Sequence, residues 1–266
     1  DMGAITGAIE ADMWNASVNL RHAFVRLDLD NDMYLVAGQT WDLFGMLNPD
    51  TLNYTVLWGT GNVGLRSPQV RWEWMPEYGM QVQVAFSAPR NTQEELPDIL
   101  GRFVFDLDSV MLAASVVMGN TMFGAAPAAN QTVFGTAVEA SAKLADGLTI
   151  KGEWYAGTNL STYMGGLIRT PNPTNDVGAT GLWAQVTIDV GDEAKINAGM
   201  AVDAVDGADI NNNTHQSNLV IFGNYIHSLN EATEVGFEVN SITSKYKNDA
   251  TDYTSLRLQG SVKVSF

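Results

Sequence analysis

Apolar and polar residues alternate with a period of two along most of this chain. In the segment 256–266, Leu256, Leu258, Val262, Val264 and Phe266 fall on one face, and Arg257, Gln259, Ser261, Lys263 and Ser265 on the other. Successive side chains of a strand point to opposite faces, so this segment reads as a strand with one greasy face and one hydrated face. The same period predicts strands at 4–14, 17–27, 33–41, 66–75, 79–88, 99–107, 110–119, 132–144, 148–158, 179–190, 194–204, 217–228, 232–243 and 253–266. Helical periodicity is almost absent. The outcome is about 14 strands of roughly 9–13 residues, long enough to cross a bilayer at a tilt.

The connections carry a second signal. Every other one is tight and rich in turn formers, as in Asp30-Asn31-Asp32, Asp108-Ser109, Asp146-Gly147 and Asn230-Glu231. Most of the others are long: 42–65, 89–98, 120–131, 159–178, 205–216 and 244–252. Asn15-Ala16 is short where a long one is due. Short turns at one end and long loops at the other predict an all-β fold, a closed antiparallel transmembrane barrel of about 14 strands, with 16 and a missing N-terminal hairpin as the alternative. Residues 1–266 then form a single barrel.

The two faces differ in chemistry. One carries Val82, Val84 and Phe86, Phe103 and Phe105, Leu182, Val186 and Ile188, which suits lipid. The other carries Arg71 and Glu73, Arg102 and Asp106, Glu139 and Lys143, Lys151 and Glu153. Packing those ions into a dry interior would cost several kcal/mol each, whereas a watered channel removes the cost. Arg21, Arg71, Arg102, Lys143, Lys151, Arg257 and Lys263 are therefore expected as the basic pore lining, and Glu10, Asp12, Glu73, Asp106, Glu139 and Glu153 as the acidic lining. If first and last strands meet, Arg257 and Lys263 adjoin Arg21 and oppose Glu10 and Asp12. Such opposed charges across a constriction select polar solutes. His22 and Arg26 are expected to share an outward face with Phe24, where polar groups suit a subunit interface better than lipid.

Composition narrows the function. The net charge is -16, from 30 acidic and 14 basic residues, which repels a phosphate backbone and argues against nucleic-acid binding. There are no cysteines, and the three histidines are far apart in sequence, so no metal site, cofactor or catalytic constellation is expected and the protein is not read as an enzyme. Gly59-Thr60-Gly61-Asn62-Val63-Gly64 matches a dinucleotide fingerprint in letters, but Pro68 and a strand follow where a helix should start, so it reads as a flexible loop tip. The segment 42–65 is the longest connection and is rich in aromatics. Long loops in compact proteins are usually functional. This one is the expected constriction loop, an extracellular loop folded into the channel, with Asp42, Phe44, Asp50, Tyr54 and Trp58 as its working residues.

Ile9–Trp14, Leu20-Arg21-His22-Ala23-Phe24, Leu35-Val36-Ala37-Gly38-Gln39-Thr40-Trp41 and Arg66-Ser67-Pro68-Gln69-Val70-Arg71 resemble, in this order, blocks of the DcaP-like porins of Gram-negative outer membranes. A terminal strand ending on an aromatic, Phe266, is similar to the last strand of outer-membrane proteins generally. The resemblance covers about the first quarter of the chain. It implies a homotrimer in the outer membrane, in contact with lipid and lipopolysaccharide, that passes small organic anions such as dicarboxylates. The expectation is thus a porin for passive diffusion of small hydrophilic solutes. The alternative is a β protein without transport, such as a surface-layer or adhesive barrel.

Overall fold

The computed structural model describes residues 3–14, 17–88, 96–123, 129–168 and 176–265. The terminal Phe266, the short Asn15-Ala16 connection and the acidic Glu94-Glu95 pair lie outside the described residues. Fourteen strands follow one another: β1 (Ile5–Trp14), β2 (Ser17–Asp28), β3 (Met33–Trp41), β4 (Arg66–Trp74), β5 (Met80–Ser87), β6 (Asp98–Leu107), β7 (Val110–Phe123), β8 (Ala129–Ala145), β9 (Leu148–Thr158), β10 (Gly178–Val190), β11 (Ala194–Val205), β12 (His215–Asn230), β13 (Thr233–Tyr246) and β14 (Tyr253–Val264). They make one antiparallel sheet in chain order, each strand paired with its sequence neighbours. The meander follows from the tight turns, because only antiparallel neighbours can be joined by so few residues. Among the described residues β1 and β14 are the two edges of the sheet and do not pair.

The tight turns share one end. Both described chain ends lie there too: the Asp28 N–H donates to Ala4 O beside the β2–β3 turn, and the Ser265 N–H to Ala232 O beside the β12–β13 turn. One sheet face is apolar and exposed, with Phe86, Phe103, Leu112, Phe134, Val138, Trp154, Ile221 and Phe237 upon it. The other face holds buried Glu73, Arg102, Glu139, Glu153, Gln185, Asn197, Asp203 and Glu238. Among the described residues no helix is long and apolar enough to cross a membrane.

One strand departs from simple alternation. A bulge in β2 opposite Glu10/Ala11 inserts Arg21 as an unpaired residue. An extra residue reverses which parity faces which side. Val18 and Leu20 are exposed before the bulge and Val25 after it. His22, Phe24 and Arg26 therefore turn inward, contrary to the outward face expected from uninterrupted alternation, and Arg26 reaches the buried Glu73 at 3.6 Å.

Candidate functional site

Residues 42–65 run along the inner face of the sheet, and strand side chains hold their backbone. An N–H group away from water needs an acceptor, and a chain segment off the ladder has no neighbouring strand to supply one. Here inward-facing side chains from four strands supply it. Glu139 on β8 accepts from the Met46 and Leu47 N–H groups. Glu153 on β9 accepts from Val63 at 3.0 Å, Gln185 on β10 from Asp50 at 2.8 Å, and Glu238 on β13 from Leu52 at 2.7 Å. Lys151 donates to Asn48 O at 2.8 Å and pairs with Asp50 at 2.9 Å. At the base of the loop, Asp42 accepts from the Phe44 and Leu65 N–H groups and ties the two limbs together.

Apolar contacts seat the same segment. Leu43, Phe44 and Val63 pack with Ala85, Leu100, Val117, Ala137 and Tyr155, which span β5 to β9. Leu57 packs with Trp183, Ala201, Val220 and Phe222 on β10 to β12. Strands from β5 to β13 thus touch one loop with one face, so the sheet curves around it. A second segment braces the first: the Gly64 N–H donates to Tyr163 O and the Gly59 N–H to Met164 O, both at 2.9 Å. Phe44 meets the Tyr163 ring edge-on at 5.7 Å.

The glycines of 59–64 have a role other than mobility. Gly61 has φ +92, and a Cβ there would lie 2.2 Å from Leu182 O. Gly64, at φ +100, would place one 2.5 Å from Gly45 O. Only glycine takes these conformations at such close backbone approach. The segment is buried against β10 and β11 rather than being the flexible tip its composition predicts.

Beside the loop, a cavity of about 390 Å³ remains along β2 to β7. Arg26, Arg71 and Arg102 line it together with Met46, Met75 and Met111. Arg71 lies 2.7 Å from Glu73, to which Gln83 also donates at 3.0 Å. Arg102 is bonded to Glu139, the same carboxylate that anchors the loop. Arg26 stacks over Tyr34 at 3.7 Å. The Nε atoms of Arg26 and Arg102 are buried and have no hydrogen-bond partner among the described residues. A buried donor left unpaired is costly.

The remaining expected site residues are spread over several places. Arg21 is bonded to Glu10 and Asp12 on the neighbouring strand, so these charges pair laterally instead of opposing one another across a gap. Glu73 sits among the arginines rather than across from them. Glu139, Glu153 and Lys151 lie beneath the loop, where they pin its backbone instead of lining an open passage. Lys143 pairs with Asp146 at the tight-turn rim, and Asp106 is exposed at that same end. Arg257 faces inward on the edge strand β14, half-buried, whereas Lys263 is exposed near the tight-turn end. Of the loop residues, Asp42 and Phe44 are buried structural contacts, Asp50 is a rim of the loop paired to Lys151, and Trp58 bridges to Asn62. The Tyr54 side chain lies outside the described residues.

Gln185 and Asn224 escaped sequence reasoning, Glu238 is expected from it only as one inward polar residue among many, and Arg26 is expected on the outer face. The first three have the inward parity of a polar wall, but nothing in spacing distinguishes an anchor from a lining residue. No group of three or more His, Cys, Asp or Glu that could hold a metal ion occurs among the described residues.

Neither a protein-family model nor a curated protein sequence matches this chain. Solved structures do. An anion-selective porin from Comamonas acidovorans superposes with TM-score 0.66 at 13% identity, covering 98% of this chain and 82% of that one. The trimer form of OmpT, an outer membrane protein of Vibrio cholerae, gives 0.65 at 11% identity, covering 99% and 86%. A porin refined at 1.8 Å gives 0.56 at 10% identity, covering 97% and 90%. The fold of this chain is that of Gram-negative outer-membrane porins.

Proposed function

We propose that the protein is a diffusion porin of the Gram-negative outer membrane, performing no chemistry, in which the segment 42–65 narrows the channel and small organic anions, dicarboxylates among them, pass along the arginine side. The observation that carries this reading is the loop on the inner face, fixed by carboxylates of β8, β9 and β13, beside a cavity lined by Arg26, Arg71 and Arg102. The apolar outer face supports a lipid environment, since a continuous belt of Phe, Leu, Val and Trp has no other solvent that suits it. In such an environment the free edges of β1 and β14 must be joined, because unsatisfied backbone groups are not tolerated in hydrocarbon. A trimer and kinship with the DcaP-like porins rest on the sequence blocks noted above. The trimer no longer draws on His22 and Arg26, which face inward.

Purified protein in a planar bilayer tests the reading. Stepwise conductance with a reversal potential that favours anions in a salt gradient is expected. No steps would refute the pore, and a cation preference would refute the role given to the arginines. Native mass spectrometry in mild detergent reads the trimer, and cysteines placed on β1 and β14 read closure of the ring by disulfide formation.

A further inference from the structure

At the long-loop end of β12 to β14 lies a separate cleft of about 430 Å³ that shares no lining residue with the arginine cavity. That size falls within the range of small-molecule sites. Ser244, Tyr246, Tyr253 and Ser255 line it. Ser244 pairs with Tyr253 and Asn240 with Arg257 across β13 and β14, so these four share the inward face of buried Asn240. Asn213 and Asp249 close the cleft from the two adjoining loops.

The cleft is built rather than incidental. The His215 ring stacks on Tyr246 at 5.2 Å and 25°. Tyr253 meets Tyr246 at 84°, centroids 5.5 Å apart, and is half exposed. Tyr253 Oη donates to Asp249 Oδ2 at 3.0 Å, and the Thr251 N–H donates to Asp249 Oδ1 at 2.9 Å. These two hydrogen bonds, the backbone one foremost, hold the Asp249 carboxyl below the usual range, so it remains an ionised acceptor. Asn218 Oδ1 takes the Ser244 hydroxyl at 2.7 Å and lies 2.7 Å from His215 Nε2. The two loops are zipped by Asn213 N–H to Lys247 O and Lys247 N–H to Thr214 O.

We propose that this cleft binds a neutral saccharide at the mouth of the fold. A sugar ring has an apolar face and a rim of hydroxyls that both donate and accept. One half-exposed Tyr253 ring ringed by serine hydroxyls, the Asn213 amide and the Asp249 carboxylate matches both properties. None of the lining residues is basic, and nearby Lys247 and Lys245 are engaged by Ile210 O and Asp252, so an anion finds repulsion instead of a partner. An ammonium ligand prefers several ring faces. Here His215 covers one face of Tyr246 and Tyr253 stands perpendicular to it, which leaves a single platform and no cage. This assignment is independent of whether the channel conducts.

Isothermal titration of the full chain in a detergent without a sugar headgroup tests it, with maltotriose, cellobiose and choline chloride as the probes. Saturable binding of one of the two saccharides is expected. Tyr253→Ala and Asp249→Asn should each weaken it at least about tenfold, the loss of one well-made polar or stacking contact. Tyr253→Phe, which keeps the ring and frees Asp249, should weaken it less than Tyr253→Ala. Absence of saturable saccharide binding, unchanged binding in a Tyr253→Ala protein that retains its strand circular dichroism, or Asp249-dependent binding of choline tighter than either saccharide would overturn the assignment.

Discussion

The inner wall has two regions built from the same alternating strands, and they use their charges differently. From β8 to β13 the inward carboxylates of Glu139, Glu153 and Glu238 are almost fully buried, and each accepts a backbone N–H of the inserted loop. On β2 and β4 the inward arginines Arg26 and Arg71 lean on Glu73 and line an open cavity. On one side charge serves packing; on the other it stays available. Arg102 joins the two, since Glu139 binds both its guanidinium and the loop. A polar residue on the inner face is therefore no pore-lining residue until it is known whether something lies over it.

The largest effect should come from breaking that junction. Glu139→Ala leaves Arg102 buried without its carboxylate and strips two loop N–H groups of their acceptor. Removing one partner of a buried pair costs about 3–5 kcal/mol. A lower unfolding temperature together with larger, noisier conductance steps is expected. Asp12→Ala, whose Arg21 pair is partly exposed, should leave the unfolding temperature nearly unchanged. Equal effects of the two would abolish the distinction between the regions.

Gly61→Val comes next. It forces a β-branched residue to φ +92 with its Cβ 2.2 Å from Leu182 O, so the loop must leave the wall or β10 must give. A strained backbone of this kind costs about 1–3 kcal/mol before the clash is counted. Faster proteolysis within 42–65 is the readout. Gly191→Ala, at φ +69 with nothing within 4 Å of the added Cβ, should leave that loop as protected as before.

Selectivity separates the regions without unfolding either. Arg26→Gln should move the reversal potential toward cations, because its charge faces the cavity. Lys151→Gln removes the same charge beneath the loop and should move it less. A larger shift from Lys151 would place the conducting path on the other wall. The smallest effect is expected at Lys263, exposed near the tight-turn end, where Lys263→Gln should alter stability by no more than about 0.5 kcal/mol and leave selectivity unchanged.

The sequence alone determined the strand count, the chain-order antiparallel meander, the end at which the tight turns gather and the face that carries the apolar belt. All of these follow from a period of two and from turn chemistry, which are local and survive without knowledge of the fold. It could not reveal the bulge at Arg21, which deletes no residue from the pattern yet turns His22, Phe24 and Arg26 inward. Nor could it say where 42–65 goes. The loop's glycines read as slack because left-handed φ and close approach to Leu182 are properties of the packed chain. Glu139 and Arg71 looked alike as lumen charges, since both alternate with apolar neighbours; they parted only when a distant segment came to rest on one and not the other. Tertiary structure decided this, because an N–H group that has left the sheet takes whichever acceptor the curvature of the wall brings within reach, across 93 residues from Met46 to Glu139 and 186 from Leu52 to Glu238.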